Sequence, residues 1–192
     1  MKDVLAIYPR NYGYIRTSLP EILFRSLRKE CSELEESDRH VTGLTKYYLN
    51  TSDQYKLKNE NKDSLFEFVK KLIGVYENNF DYIGNINVLD ASLPYVFGDP
   101  WVNVQKNYQH IPIHVHDGVY SYTCWIDLPP SSLFEFLYPS IIGAHVREEI
   151  NLTPEDRGGI LLFPSGLLHT VHPFEGDDKR VSISGNILLG TK

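Results

Sequence analysis

From Tyr82 onward the chain is cut into short segments rich in aromatic and β-branched residues, separated by Gly, Pro or Asp. This texture predicts strands over 83–90, 100–106, 111–116, 119–128, 133–138, 143–151, 159–163, 168–173 and 179–189. Short strands at such spacing close into a sandwich or barrel. The absence of helical segments between them excludes a doubly wound parallel sheet. Thirteen Tyr and nine Phe suit a pleated surface, where aromatic side chains pack well. The expected fold is mainly β with added helices: an antiparallel jelly-roll core over 83–192, braced by a helical and loop region over 1–82, within one domain of 192 residues.

The N-terminal region carries its own signals. Val4–Tyr8 reads as a first strand, stopped by Pro9 and the turn residues Asn11–Gly13. Ser18-Leu-Pro-Glu21 and Ser64-Leu-Phe-Glu67 read as capping boxes. The helix after the first would bury Leu23, Leu27 and Cys31. The helix after the second repeats Leu65, Phe68, Val69, Leu72 and Tyr76 at helical spacing and closes near Asn78–Asn79. Between them, residues 38–62 are polar and read as a loop around a short element near Leu44–Leu49.

Apolar content of 42% and charged content of 23% are those of a folded globular chain. A net charge of −6 gives no electrostatic reason to expect nucleic acid or an anionic membrane as a partner. Cys31 and Cys124 have no ligand-like spacing and read as reduced thiols, and no apolar run is long enough for a signal peptide or membrane span. The expected location is cytoplasmic.

Two clusters carry chemistry. In IPIHVHDG, His114 and His116 are two apart, so a strand presents them on one face and Val115 on the other. In FPSGLLHTVHPF, an apolar strand turns at Phe163-Pro164-Ser165 toward His169. His172, three residues on, faces away from His169 in a strand and is a poor co-ligand. His40, His110 and His145 have no comparable spacing and read as structural. In the last strand Arg180, Ser182 and Ser184 share one face, opposite Val181 and Ile183. An arginine with hydroxyl neighbours forks onto a carboxylate, although an edge ion pair with Asp177 or Asp178 would use the same residue.

Taken in order, H-x-H, then F-P-S-x-L-x-H-x-V-x-P, then R-x-S-x-S-x-N resembles the 2-oxoglutarate/Fe(II)-dependent oxygenases, in particular small members carried by tailed phages. The likeness runs from Trp101 to Leu189. It implies a double-stranded β-helix (jelly-roll, cupin-like) core, Fe(II) on His114 and His169, and the far carboxylate of 2-oxoglutarate on Arg180 assisted by Ser182. The family's usual carboxylate ligand falls here on His116, which is taken as the third ligand, with Asp117 as the substitute if the chain turns at Asp117-Gly118. Asn103 and Gln105, or Tyr120 and Tyr122, are the candidates for further contacts to the cosubstrate.

The activity so implied is oxidation, most often hydroxylation, of a protein side chain or small molecule, with decarboxylation of 2-oxoglutarate to succinate. His116 also motivates two alternatives: a three-His cupin-like metalloenzyme that uses no 2-oxoglutarate, and a non-catalytic jelly-roll binding module. Loop 38–62 and segment 129–158, with Phe134, Phe136 and Tyr138, are where substrate selection is expected.

Overall fold

A computed structural model describes residues 13–40, 50–58, 61–80, 93–140 and 142–190. In chain order it contains β1 (Ile15–Ser18), α1 (Glu21–Ser32), β2 (Asp53–Lys56), α2 (Lys62–Phe80), β3 (Tyr95–Phe97), β4 (Trp101–Gln105), β5 (Ile111–His114), β6 (Tyr120–Asp127), β7 (Ser132–Pro139), β8 (His145–Leu152), β9 (Gly159–Pro164), β10 (Leu168–Val171) and β11 (Arg180–Leu189). Among the described residues these strands form two sheets. A seven-stranded sheet runs β1-β9-β6-β11-β4-β2, with β3 also on β11; a four-stranded sheet runs β5-β10-β7-β8.

The alternation of side chains along the central strands builds two cores. Tyr120, Tyr122, Cys124 and Ile126 of β6, Ile160 and Leu162 of β9, and Ile183 and Ile187 of β11 face the helices and pack against Leu23, Leu27, Leu65, Val69 and Tyr76. Trp125, Leu161 and Phe163 point the other way, between the sheets, where Phe134, Phe136, Ile150 and Leu152 of β7 and β8 meet them. With both faces covered, β9 is apolar without a break, as a doubly buried strand must be. Leu27 has no exposed surface and anchors α1 to this assembly. Leu27→Ala should cost about 2–5 kcal/mol by removing buried methyl groups and leaving a cavity. The check is the midpoint of equilibrium denaturant unfolding.

Eight of the nine strands expected after Tyr82 form, with shifts of one or two residues at most ends. The range 83–90, the strand at Val4–Tyr8 and the element near Leu44–Leu49 lie outside the described residues. Three strands were not foreseen. β1 and β2 are short and add to the two ends of the large sheet, and β3 is three residues long. The N-terminal 82 residues therefore supply two strands of the core sheet as well as both helices.

Neither capping box forms at the expected place. Ser18 is committed to the β ladder opposite Gly159, so α1 starts after Pro20 with no side-chain cap. α2 starts at Lys62, which leaves Ser64 inside its first turn. No helix among the described residues is long and apolar enough to cross a membrane.

Candidate active site

His169 of β10 lies directly opposite His114 of β5 in the antiparallel register. β5 ends at His114, two residues earlier than expected, yet the alternation continues: Ile113 and Val115 are exposed while His114 and His116 turn inward. The three imidazoles converge, with ligand nitrogens all within 4.8 Å of one another. Asp117 is exposed and contributes no atom to this cluster; it sits on the rim of the adjoining cavity.

The motif residues around the histidines hold the segment that carries His116. The His116 backbone N–H donates to the Ser165 carbonyl at 2.9 Å, and the Ser165 N–H donates to the Val119 carbonyl at 3.1 Å. The Ser165 and Ser121 hydroxyls are 2.8 Å apart, and Ser121 donates to Asn186 Oδ1 at 3.0 Å. Ser165 of F-P-S and Asn186 of R-x-S-x-S-x-N thus brace one loop from two strands. Gly118 makes the turn: its φ is +98°, and a side chain there would run into the Ile187 carbonyl.

Ring hydrogen bonds set two of the tautomers. Nδ1 of His114 donates to the Pro112 carbonyl and Nδ1 of His169 to the Leu167 carbonyl, each at 2.8 Å. A neutral imidazole whose Nδ1 donates to a carbonyl keeps an Nε2 lone pair, the usual outer-sphere arrangement of a metal-binding histidine. Nε2 of His116 and Nε2 of His169 are 3.1 Å apart. Adjacent ligands on an octahedral ion with metal–nitrogen bonds of ~2.1 Å stand ~3 Å apart. All three rings are held neutral. Burial pulls His114 down, burial and then the neighbouring His114 pull His116 down to about 3, and burial followed by both neighbours pulls His169 well below its ordinary value. The donor set and its spacing fit a divalent transition ion.

The histidines open onto a cavity of about 750 Å³ that also reaches Arg180, Ser182, Ser184, Asn103 and Thr123. Arg180 is 1% exposed. Among the described residues it forms no ion pair: Nη1 donates to the Leu133 carbonyl at 3.3 Å, and Nε has no partner. The expected alternative, a surface pair with Asp177 or Asp178, is not formed. Burial pulls the guanidinium down to about 9, which leaves it charged at neutral pH and in need of an anion.

Ser182 sits opposite Asn103 of β4. A polar chain crosses the sheet beside them: Gln54 donates to Asn103 Oδ1 at 2.8 Å, Asn103 to Ser184 at 3.3 Å, and Ser184 to Thr123 at 3.2 Å. Asn103 faces the cavity as one of the two sequence options required. Tyr120 and Tyr122 put their rings into the helix-side core instead, although Tyr122 also borders the cavity.

His40, Gln54 and Trp101 line the cavity and carried no usable sequence signal. His40 reaches it because its backbone N–H binds the Gln54 carbonyl at 2.7 Å, alongside a strand, β2, that the sequence did not announce. His172 is separate from the cluster, its Nε2 3.3 Å from Glu135, which also pairs with Arg147. Phe134 and Phe136 are core residues, Phe134 stacked on His169 and Phe136 meeting it edge-on, and Phe134 also touches the cavity.

The family model described as "Putative 2OG-Fe(II) oxygenase" matches residues 99–186, the span that holds all three histidines and Arg180. Over that span the chain is similar to the 2-oxoglutarate/Fe(II) oxygenases. Its fold is shared with a prolyl-4-hydroxylase from Pseudomonas putida (TM-score 0.65, 16% identity, 93% of this chain and 94% of that one). It is also similar to the α-ketoglutarate-dependent carbocyclase SnoK from nogalamycin biosynthesis (TM-score 0.64, 12% identity, 94% and 80%). A Trichoplax adhaerens prolyl hydroxylase, solved with a hypoxia-inducible-factor peptide, compares similarly (TM-score 0.64, 12% identity, 92% and 83%). No curated protein matches the sequence. The family matched over this span is named for Fe(II) and 2-oxoglutarate, the three histidines offer a metal site within it, and the mainly β, double-stranded β-helix scaffold is that of these neighbours.

Proposed function

We propose that His114, His116 and His169 hold the Fe(II), that Arg180 and Ser182 hold the far carboxylate of 2-oxoglutarate, and that the reaction is hydroxylation of a protein side chain or small molecule. The observation that carries this reading is Arg180: a buried guanidinium with no carboxylate partner among the described residues, in the same cavity as three converging neutral imidazoles. A planar fork of donors matches a carboxylate, and a charge-assisted bond of this kind contributes on the order of 1.5–3 kcal/mol. A cupin-like enzyme working without 2-oxoglutarate would have no use for it.

Bound Fe(II) would supply oxygen activation, coupled to decarboxylation of the cosubstrate to succinate. The chain's own work is positioning and exclusion. The backbone carbonyls of Pro112 and Leu167 orient the His114 and His169 rings, the Ser165 and Asn186 contacts hold the His116 loop, and Phe134 and Phe163 form a dry wall against His169. Hydroxylation is favoured among possible outcomes because neighbours on this scaffold are named as prolyl hydroxylases. The test is anaerobic loading with Fe(II) followed by titration with 2-oxoglutarate. A saturable visible charge-transfer band at one equivalent is expected. Iron bound with no band at any 2-oxoglutarate concentration would overturn the reading.

A further inference from the structure

Among the described residues, the charges around this cavity do not balance. The three candidate ligands are imidazoles and bring no charge, and Arg180 adds one positive charge of its own. Among the described residues that line the cavity, the only carboxylates are Asp99 and Asp117, and both are exposed. Asp99 is already paired with Lys62 at 2.9 Å, and Asp117 lies at the solvent-screened rim. A divalent ion and Arg180 together make +3, and 2-oxoglutarate brings −2. One positive charge is left over beside the buried Arg180 and the inward-turned histidines, where an uncompensated charge is costly.

We propose that the oxygenase takes a monoanion there in addition to 2-oxoglutarate, so that its substrate carries a carboxylate or a comparable single negative charge at the end that enters the cavity. The inference rests on the iron and cosubstrate assignment above, and it follows from His116 standing where a carboxylate ligand would have neutralised the site. The cavity wall beside this space is polar: Gln54 and Asn103 lie on it, and His40 and Trp101 frame the side formed by β2 and β4. A neutral isostere would leave the residual charge unmatched. At an effective dielectric of ~20, a unit pair a few ångströms apart accounts for a preference of at least about 30-fold.

The experiment uses the full chain loaded with Co(II), which lies above Fe(II) in the affinity series and is paramagnetic, and saturated with 2-oxoglutarate. Metal and cosubstrate stoichiometry are measured first. Acetate and its neutral analogue acetamide are then titrated separately, and relaxation of their methyl protons by the Co(II) is followed by NMR. Acetate is expected to bind saturably and at least about 30-fold more tightly than acetamide. His116→Asp, which restores a charged ligand, should reduce that preference to less than about 3-fold. Equal binding of the two probes by the wild-type protein would overturn the proposal, as would an undiminished preference in a metal-loaded His116→Asp variant. If His116→Asp does not retain metal, the comparison of acetate with acetamide on the wild-type protein decides. Failure of the wild-type chain to bind Co(II) and 2-oxoglutarate one-to-one would overturn the underlying assignment as well, and is seen before either probe is added.

Discussion

His169→Ala should abolish the metal site, lowering Fe(II) affinity by more than about 100-fold and removing the charge-transfer band with 2-oxoglutarate. Altering a residue that merely supports a ligand costs about 10–100-fold in affinity, and His169 is proposed as a ligand in its own right. It is 3% exposed, its Nδ1 is tied to the Leu167 carbonyl, and its Nε2 is 3.1 Å from that of His116. The readouts are anaerobic Fe(II) titration and the visible spectrum. Two controls make the result specific. His169→Gln keeps bulk in a pocket walled by Phe134 and Phe163 and should also lose the metal, so a packing defect cannot stand in for a lost ligand. His172→Ala should bind Fe(II) as the wild type does, because His172 stands beside Glu135, outside the cluster. Retention of a wild-type band in either His169 variant would remove His169 from the metal site.

The sequence made the β core legible because its strands alternate in the way a two-cored sheet requires. β6 sends Tyr120, Tyr122, Cys124 and Ile126 to the helices and Trp125 to the partner sheet, and β11 separates Arg180, Ser182 and Ser184 from Val181 and Ile183. The same two-residue period brought His114 and His116 to one face, even though the strand itself stops at His114. The pairing with His169 was not visible in any period. It comes from the register of β5 on β10, and only the ordered motifs hinted at it.

β1 and β2 escaped for another reason. Each is a four-residue strand at an end of the large sheet, where propensity is weak and pairing decides. Missing β2 meant missing Gln54 and His40, which border the cavity only because β2 pairs with β4. The capping boxes misled because local preference lost to the ladder: the Ser18 backbone is held opposite Gly159, and the next N–H, that of Leu19, is taken by the Gly158 carbonyl. Of the site residues, Arg180 was read from its face and its motif. Its lack of a carboxylate partner, which is what gives it meaning, belongs to the packed structure alone.

That lack of a partner leads to the second large effect. Arg180→Met is expected to weaken 2-oxoglutarate binding by roughly 30- to 5000-fold, the range that follows from truncating one member of a buried charge pair. In the absence of cosubstrate, the same substitution should not destabilise the protein. Methionine fills similar volume with apolar atoms. The arginine it replaces is wholly buried, makes one backbone hydrogen bond and leaves Nε without a partner. Replacing an unpaired buried charge with a well-packed apolar side chain removes a desolvation penalty, so a gain of about 1 kcal/mol is reasonable. In a chain of this size that gain raises Tm by about 2–4 °C. Adding 2-oxoglutarate with a divalent metal should then raise the wild-type Tm through binding to the folded state, while the variant responds far less at the same concentration. Arg180→Lys should fall between the two, since it keeps the charge but loses the fork. The opposite pattern, a less stable apo variant with unchanged 2-oxoglutarate affinity, would make Arg180 a structural residue and leave the cosubstrate without its anchor.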